Sequence, residues 1–587
     1  MTMQWRSVSR WCAALLLLVC TACSGSNGEK KKDYGFSYQD ITQRAKISFV
    51  HEKPVFDQKV ANIMPWLQST GAGVAAADYD LDGYIDLYFV NSRKGSKNAL
   101  YHNNGDGTFT DVAEQLKLAD INHDGVSSSP LWLDYDNSGY PSLFVGQWGK
   151  SKLFKNNGDG TFTDITEQAG IQVKGYVSKA ISLDYNRDGN LDIYLGCYFH
   201  PSHDLWNLKT TKIMHNDFER ARNGGSNILL RNNGDGTFTD VSQEMKVADT
   251  GWTLATGSAD INNDGWPDLY NANDFGPDVL YLNDQGKGFK QLVQHSGIGD
   301  DTYKGMNVDF ADVFHDGHLS MYVSNVSKER YILEGNQLWH EQADGTFVDR
   351  AEEMGVNLAG FSWGARFFDA NNSGQLSLMV TNGFLSASKE HDYWFDLGTL
   401  ATTPSNVIED AKNWPAFNDK SLSGYESKYL FLNEGGAFTN VAQDVGITFT
   451  EDGRGIAVAD LLNKGVLDLV FANQGAPARV YKNENRTGNH WIKLKLTGRA
   501  PSNRDAVGAK VIFEVSGVKT LVERDGGNSF GGQSDPRIHF GLGKADKVDK
   551  ITIHWPSGRT EELRDIPADQ ILEITEAAGP MKEEERK

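Results

Sequence analysis

Cysteine is nearly absent from this chain. Only four occur in 587 residues, and three of them, Cys12, Cys20 and Cys23, fall within the first 23. The body keeps Cys197 alone, so no intramolecular disulfide staples it, and stability must come from a core and from bound cations. Basic residues are also short, 57 against 78 acidic, for a formal charge of −21. A phosphate backbone demands a basic face, which excludes nucleic acid as a partner. The apolar run at 13–19 is too short to span a membrane; with Arg6 and Arg10 before it, residues 1–22 read as an export signal. No Gly-rich phosphate loop opens a helix and no G-x-S-x-G elbow is present, which removes two common enzyme signatures.

What the chain has instead is repetition. NNGDGTFTD occurs three times unchanged, at 103–111, 156–164 and 232–240, with looser copies from Asn283, Glu341 and Asn433. Asn-Gly and Asp-Gly supply the positive φ of tight hairpins, and Thr-Phe-Thr-Asp alternates as a half-buried strand does. Each copy reads as a hairpin closing a larger unit. A second phrase lies upstream, complete in DYDLDGYID (78–86), DYNRDGNLD (184–192) and DINNDGWPD (260–268), and degenerate at 134–142, 312–320, 369–377 and 460–468. Seven units of four antiparallel strands result, which predicts an all-β, seven-bladed β-propeller over 36–488. The seventh unit lacks its last strand; residues 38–47 align with 162–171 and are expected to supply it. A small β-rich domain (489–576) and a charged tail (577–587) complete the chain.

The second phrase has the chemistry of a calcium loop. Oxygens at positions 1, 3 and 5 converge when a Gly at 6 turns the chain, and a carboxylate at 9 closes the shell. Three loops are expected to be strong sites: Asp78, Asp80, Asp82 and Asp86; Asp184, Asn186, Asp188 and Asp192; Asp260, Asn262, Asp264 and Asp268. Two are weaker: Asp134, Asp136 and Ser138; Asp369, Asn371 and Ser373. The Asp312 loop has Phe314 at position 3, which cannot ligate. The Asp460 loop has Leu462 and Lys464 at 3 and 5, and reads as metal-free with an ammonium in place of the cation. A further string at 120–128 fits the ligand pattern but lacks a preceding strand, and is set aside.

These loops resemble the FG-GAP/VCBS repeats of calcium-binding propellers, including those of integrin α chains. GRAPSNRDAVGAKV (498–511), IHFGLGKADKVDKITIHWPSG (538–558) and the closing LEITE resemble the ASPIC/UnbV domain. Propeller plus this domain is the layout of the cartilage acidic protein family. The resemblance implies extracellular calcium binding and an adhesive or scaffolding role. Cys23, in CTACSGS, resembles a lipobox cysteine, with Cys20 where leucine is usual; lipidation there would leave 23–35 as a tether. The absence of Asp after Cys23 points to the outer membrane or cell surface, with an extracellular or periplasmic protein or carbohydrate as partner.

Two other readings stay open. Cys197 with His200, His203 and His215 could form a nucleophile or a transition-metal site, against packed loop residues. Trp252 and Trp363 could be a sugar platform, against core. Connectors at 196–227 and 383–427 are long enough to carry function, and His200, His203, Trp206, His391, Tyr393 and Trp394 are candidates for a ligand cleft on the face opposite the Asp loops. The alternative is that these inserts dock the C-terminal domain. A propeller enzyme of lyase, dehydratase or alkylating-cyclase type would need a pocket there.

Overall fold

The computed structural model describes residues 32–292, 297–299 and 302–578. Residues 34–587 form a second, compact unit after residue 33. Residues 1–31, which include the export signal and Cys23, lie outside the described residues, as do 579–587 of the tail. The second unit holds the propeller and the C-terminal domain.

Each repeat folds as expected, into four antiparallel strands. In blade 1 these are Val74–Ala77, Asp86–Phe89, Ala99–Asn103 and Phe109–Asp111. Blades 2 to 6 begin with inner strands Val126–Leu133, Lys174–Leu183, Thr253–Ala259, Asn307–Ala311 and Ser362–Phe368. Blade 7 has Gly453–Ala459, Asp468–Asn473 and Arg479–Asn485, and its fourth strand is Phe36–Asp40 from the other end of the chain. Neighbouring inner strands touch in succession, and that of blade 7 touches that of blade 1. The closing strand is shorter and earlier than 38–47: Phe36 pairs with Asn485 and Asp40 with Tyr481, after which the chain turns away. The alignment with 162–171 explains this, because there too only Phe162–Asp164 is strand.

Apolar clusters fill the gaps between blades. Leu131, Phe144 and Ile193 join blades 2 and 3, and Val74, Leu87 and Val470 join blades 7 and 1. The repeated hairpin adds a polar clasp. Its first Asn donates to the Asp loop of the preceding blade: Asn156 Nδ2 to Tyr79 O at 2.8 Å, Asn232 to Tyr135 O at 2.7 Å, Asn283 to Tyr185 O at 2.9 Å. Asn103 reaches Leu461 O at 2.8 Å across the closure. The copies at Asn103, Asn156, Asn232 and Asn283 thus sew one blade to the last.

The C-terminal domain is a sandwich of two sheets. One holds His490–Thr497, Ile538–Gly543 and Gln570–Thr575; the other holds Lys510–Val515, Val518–Glu523, Lys547–His554 and Thr560–Pro567. Between them, residues 525–535 leave the domain and enter the propeller channel. Gly532–Gln533 pairs in parallel with the inner strand of blade 1. Every other blade also binds this segment. Ser182 N–H donates to Gly526 O at 2.9 Å and Asp535 N–H to Val458 O at 3.0 Å. Trp132 N–H meets Gln533 Oε1 at 2.7 Å, Ser258 N–H meets Asn528 Oδ1 at 3.0 Å, and Phe530 N–H meets Asn307 Oδ1 at 2.7 Å. From blade 6, the Arg366 guanidinium lies 2.5 Å from Asp525.

The opposite mouth is closed by a cap. Both inserts meet there, with Met214 N–H donating to Glu409 O at 3.1 Å and Ala411 N–H to Thr211 O at 2.8 Å. Residues 51–70, to which sequence reasoning gave no role, wedge between them: Trp66 packs on Trp414 and Phe384 at 5.2 and 5.0 Å. Arg454 stacks on Trp363 at 4.0 Å and donates to carbonyls of Ser69, Gly383 and Phe384. The inserts therefore do not dock the C-terminal domain, which sits on the other face.

Candidate metal centre

All seven Asp loops share one backbone trace. The fourth residue is left-handed in each, from Leu81 to Asn463, and the Gly at position 6 has φ near +90° in blade 1. That turn aims its N–H at the first carboxylate: Gly83 to Asp78 Oδ2 at 3.1 Å, Gly189 to Asp184 at 3.0 Å, Gly265 to Asp260 at 2.8 Å. The same bond recurs at Asp134, Asp312, Asp369 and Asp460. The second oxygen, Oδ1, is buried and unpartnered in Asp78 and Asp260.

Position 9 has a second task that spacing could not reveal. Asp86 is buried at the start of a strand, and its oxygens accept from Asn103 N–H at 2.8 Å and Tyr79 N–H at 3.2 Å. Asp192 and Asp268 repeat this pair of bonds. The carboxylate thus locks hairpin to loop. Burial raises the carboxyl pKa of Asp86 and Asp184 to about 7, and those of Asp192 and Asp268 well above the usual range. Carboxylates held this way are neutralised by a proton or a cation, and the donor set fits a hard dication.

Protein cations serve several loops. In blade 2, Lys155 Nζ is 2.7 Å from Asp136 Oδ2; burial, then Asp505, raises Asp134 to about 7. In blade 4, Lys510 Nζ from the C-terminal domain is 2.5 Å from Asp260 Oδ2, the oxygen that also takes Gly265 N–H, and 2.7 Å from Asn263 Oδ1. In blade 7 the ammonium beside the first carboxylate is that of Lys493 from the C-terminal domain, 2.9 Å from Asp460 Oδ2, and not that of Lys464. Blade 3 differs: its Arg187 turns outward to Pro556 O at 2.7 Å. In blade 6, Asp369 is buried with Asn371 and Ser373 beside it, and Ser373 N–H donates to Asp369 Oδ1 at 3.1 Å. The loop face is thus also the seat of the C-terminal domain. Asp120, outside the repeats, pairs with His123 at 3.0 Å on the surface.

The residues of the expected cleft are not brought together as an open site. Tyr393 and Trp394 are buried cap residues; Tyr393 stacks on Phe417 at 3.7 Å and Trp394 on Tyr331 at 5.6 Å. Trp206 packs against Phe56 at 5.3 Å. His200 and His203 lie 6.0 Å apart on one insert, and exposed His391 pairs with Asp419 at 2.9 Å on the other. Apolar side chains at such loop density collapse into a core. Cys197 is buried, which raises its thiol to about 12, and His215 stacks on Phe275 at 3.6 Å. Trp252 and Trp363 are core and form no sugar platform.

Comparison with known proteins agrees with the loop and domain geometry. Residues 78–145, 134–195, 216–271 and 260–323 match the FG-GAP-like repeat, and 498–580 match ASPIC and UnbV. The chain is 24% identical over 540 residues to cartilage acidic protein 1 of Xenopus tropicalis, covering 88% of this chain and 66% of that protein. The Homo sapiens protein of that name is 23% identical, with 88% and 64% covered, so the chain spans just under two thirds of those relatives' length. Among solved structures, YCF48 bound to D1 peptide is similar at 9% identity and a TM-score of 0.37, over 77% of this chain and 96% of that one.

Proposed function

The chain belongs to the proteins that join FG-GAP-like repeats to an ASPIC and UnbV domain, as a homologue of cartilage acidic protein 1, and from that premise we propose a calcium-stabilised, lipid-anchored scaffold that binds an extracellular or periplasmic protein or carbohydrate through its outer surfaces. The observation that carries this reading is the channel. It is threaded by residues 525–535 from one side and capped from the other, leaving on the cap side a cavity of about 20 Å³ beside Trp66, Trp363 and Phe384, while a cavity of about 140 Å³ remains on the loop side among Arg366, Glu523 and Asp525. The pocket that a propeller enzyme would need on the cap face is filled by aromatic side chains.

Calcium belongs to the loop of blade 3 first; that of blade 4 keeps Asp260 Oδ1 free although Lys510 pairs with its Oδ2, and those of blade 2, where Lys155 pairs with Asp136, and blade 6 are weaker; the blade 1 loop has a different donor set, because His102 stands beside its carboxylates. No helix among the described residues is long and apolar enough to cross a membrane. Attachment is assigned to Cys23 on its lipobox-like setting, CTACSGS, and Cys23→Ser is expected to move the protein into the soluble exported fraction; continued membrane association would refute the anchor. The binding role is tested with the lipid-free chain on arrays of extracellular proteins and glycans, with calcium and with chelator. Calcium-dependent retention of a discrete ligand supports it, and turnover of a retained glycan or peptide would favour an enzyme instead.

A further inference from the structure

Blade 6 breaks a pattern that other blades keep. In blades 1, 3 and 5 the residue five before the hairpin is an asparagine that accepts a backbone N–H near the end of the neighbouring strand. Asn98 takes Asn91 N–H at 2.8 Å, Asn227 takes Cys197 N–H at 2.9 Å and Asn336 takes Asn325 N–H at 2.8 Å. In blade 6 these two positions are Lys428 and Asn382, and an ammonium cannot accept. Lys428 is nevertheless fully buried. Its Nζ lies 2.8 Å from Asn382 O, 3.3 Å from Asn382 Oδ1 and 3.0 Å from Glu426 O, and 5.1 Å from the centre of the Phe449 ring. The fold makes do with a small acceptor elsewhere, so packing does not call for a lysine here.

The pair is placed for reaction. The side-chain carbonyl carbon of Asn382 is one bond, about 1.2 Å, from Oδ1, so Nζ stands within about 4.5 Å of it. A small turn of the lysine stem reaches the ~3–3.5 Å at which an amine attacks an amide. Glu426 supplies an acid. Its Oε2 accepts Phe361 N–H at 2.9 Å, and Gly360 makes room for it beside the amide: a Cβ there would collide with Glu426 Oε2 and sit 3.3 Å from Asn382 Nδ2. Burial raises the Glu426 carboxyl above its ordinary value and lowers the Lys428 ammonium to about 8, against the pull of Asp452 and Glu426. About a tenth of Lys428 is then free amine at pH 7.

We propose that Lys428 and Asn382 join in an isopeptide bond, with Glu426 as the acid. Nζ forms a bond to Cγ of Asn382, the Cγ–Nδ2 bond breaks, one proton passes from Nζ to Nδ2 by way of the Glu426 carboxyl, and ammonia leaves; no oxidant or reductant is needed. The bond closes residues 383–427, one insert of the cap, into a covalent loop, and stabilises by constraining the unfolded chain as a disulfide would in a body that has none. The test is a tryptic peptide map of the full exported chain. The peptide holding Asn382 should appear joined to the one holding Lys428, lighter than their sum by one ammonia, about 17 Da. Lys428→Asn, which copies blades 1, 3 and 5, should fold without the joined peptide. Glu426→Gln should slow linkage about a hundredfold or more, leaving freshly folded protein unlinked. Separate peptides of full mass in the unaltered protein overturn the proposal, because Lys428 would then be a cation held by three oxygens. Loss of ammonia without joined peptides also overturns it, since a succinimide at Asn382–Gly383 accounts for that mass. Should either variant not fold, the map of the unaltered protein decides.

Discussion

His51 ties the first blade to the last. Its Nδ1 accepts from Gly475 N–H at 3.1 Å in blade 7, so Nε2 carries the proton and donates to Ser92 Oγ at 2.9 Å in blade 1. Burial, with Lys53 and Arg454 nearby, lowers its pKa to about 3. The unfolded chain therefore protonates first. The contribution is complete above the unfolded value of about 6.5 and is lost as pH falls from there towards about 3. At pH 5 the loss is about 2 kcal/mol. His51→Gln keeps a donor and an acceptor, so its unfolding free energy should fall less between pH 7 and pH 5 than that of the unaltered protein. Parallel denaturant titrations at the two values check this, and identical slopes would count against it. A second residue pair separates metal from packing. Asp264→Ala should lower Tm by several degrees in calcium and little in chelator. Asp312 accepts Leu521 N–H at 2.9 Å from the C-terminal domain, so Asp312→Ala should cost the same in both. Equal losses for Asp264→Ala in both buffers would remove calcium from blade 4. The loop positions themselves were legible from spacing, because ligand geometry is local. Lys493, Lys510 and His102 were not, since each arrives from a strand whose register only the assembled fold sets.

Strands were legible wherever a turn phrase bounded them. The closing strand shows the limit. Its alignment with 162–171 found the right partner, but the phrase spends only Phe162–Asp164 in the sheet, so the strand lies at Phe36–Asp40 and the residues after it form a turn. Removing residues 34–40 exposes the edge Arg479–Asn485, and also removes Tyr38 and Phe36, both buried in the seam between blades 6 and 7. An open ring with a bare edge is prone to aggregate. The deletion should abolish the cooperative melt seen by circular dichroism and leave aggregated protein, and a soluble variant melting at the unaltered temperature would refute closure by this strand. The cap escaped prediction for a different reason. Long, aromatic-rich connectors promise a site or a core equally, and only the wedge of residues 51–70 between the inserts, with Phe56 on Trp206 of one and Trp66 on Trp414 of the other, from a segment with no repeat pattern, decides for core.

At the scale of the whole molecule, the channel-filling segment makes propeller and sandwich one object. Its sequence, DGGNSFGGQSD at 525–535, is legible only in retrospect: glycines flank a single Phe because backbone must approach backbone on all sides. A Cβ on Gly526 would collide with Ser182 O, and one on Gly532 with Ile456 O. Inner strands have come to rely on this partner. Lys179 is buried and donates to Gly532 O at 2.7 Å, and Arg366 lies between Asp309 at 2.8 Å and Asp525 at 2.5 Å. Without the segment these groups lose partners in a narrow channel, at about 1–3 kcal/mol for each one left dry. Water entering the channel would offset part of that, so the deletion of 489–587 is the cleaner test. The isolated propeller should melt well below the full chain, and the full chain should melt in one transition, because neither domain buries its polar groups alone. Gly526→Val and Gly532→Val should lower Tm and open the C-terminal domain to protease ahead of global unfolding. If the propeller alone kept the Tm of the full chain, residues 525–535 would be a passenger in the channel and not part of its core.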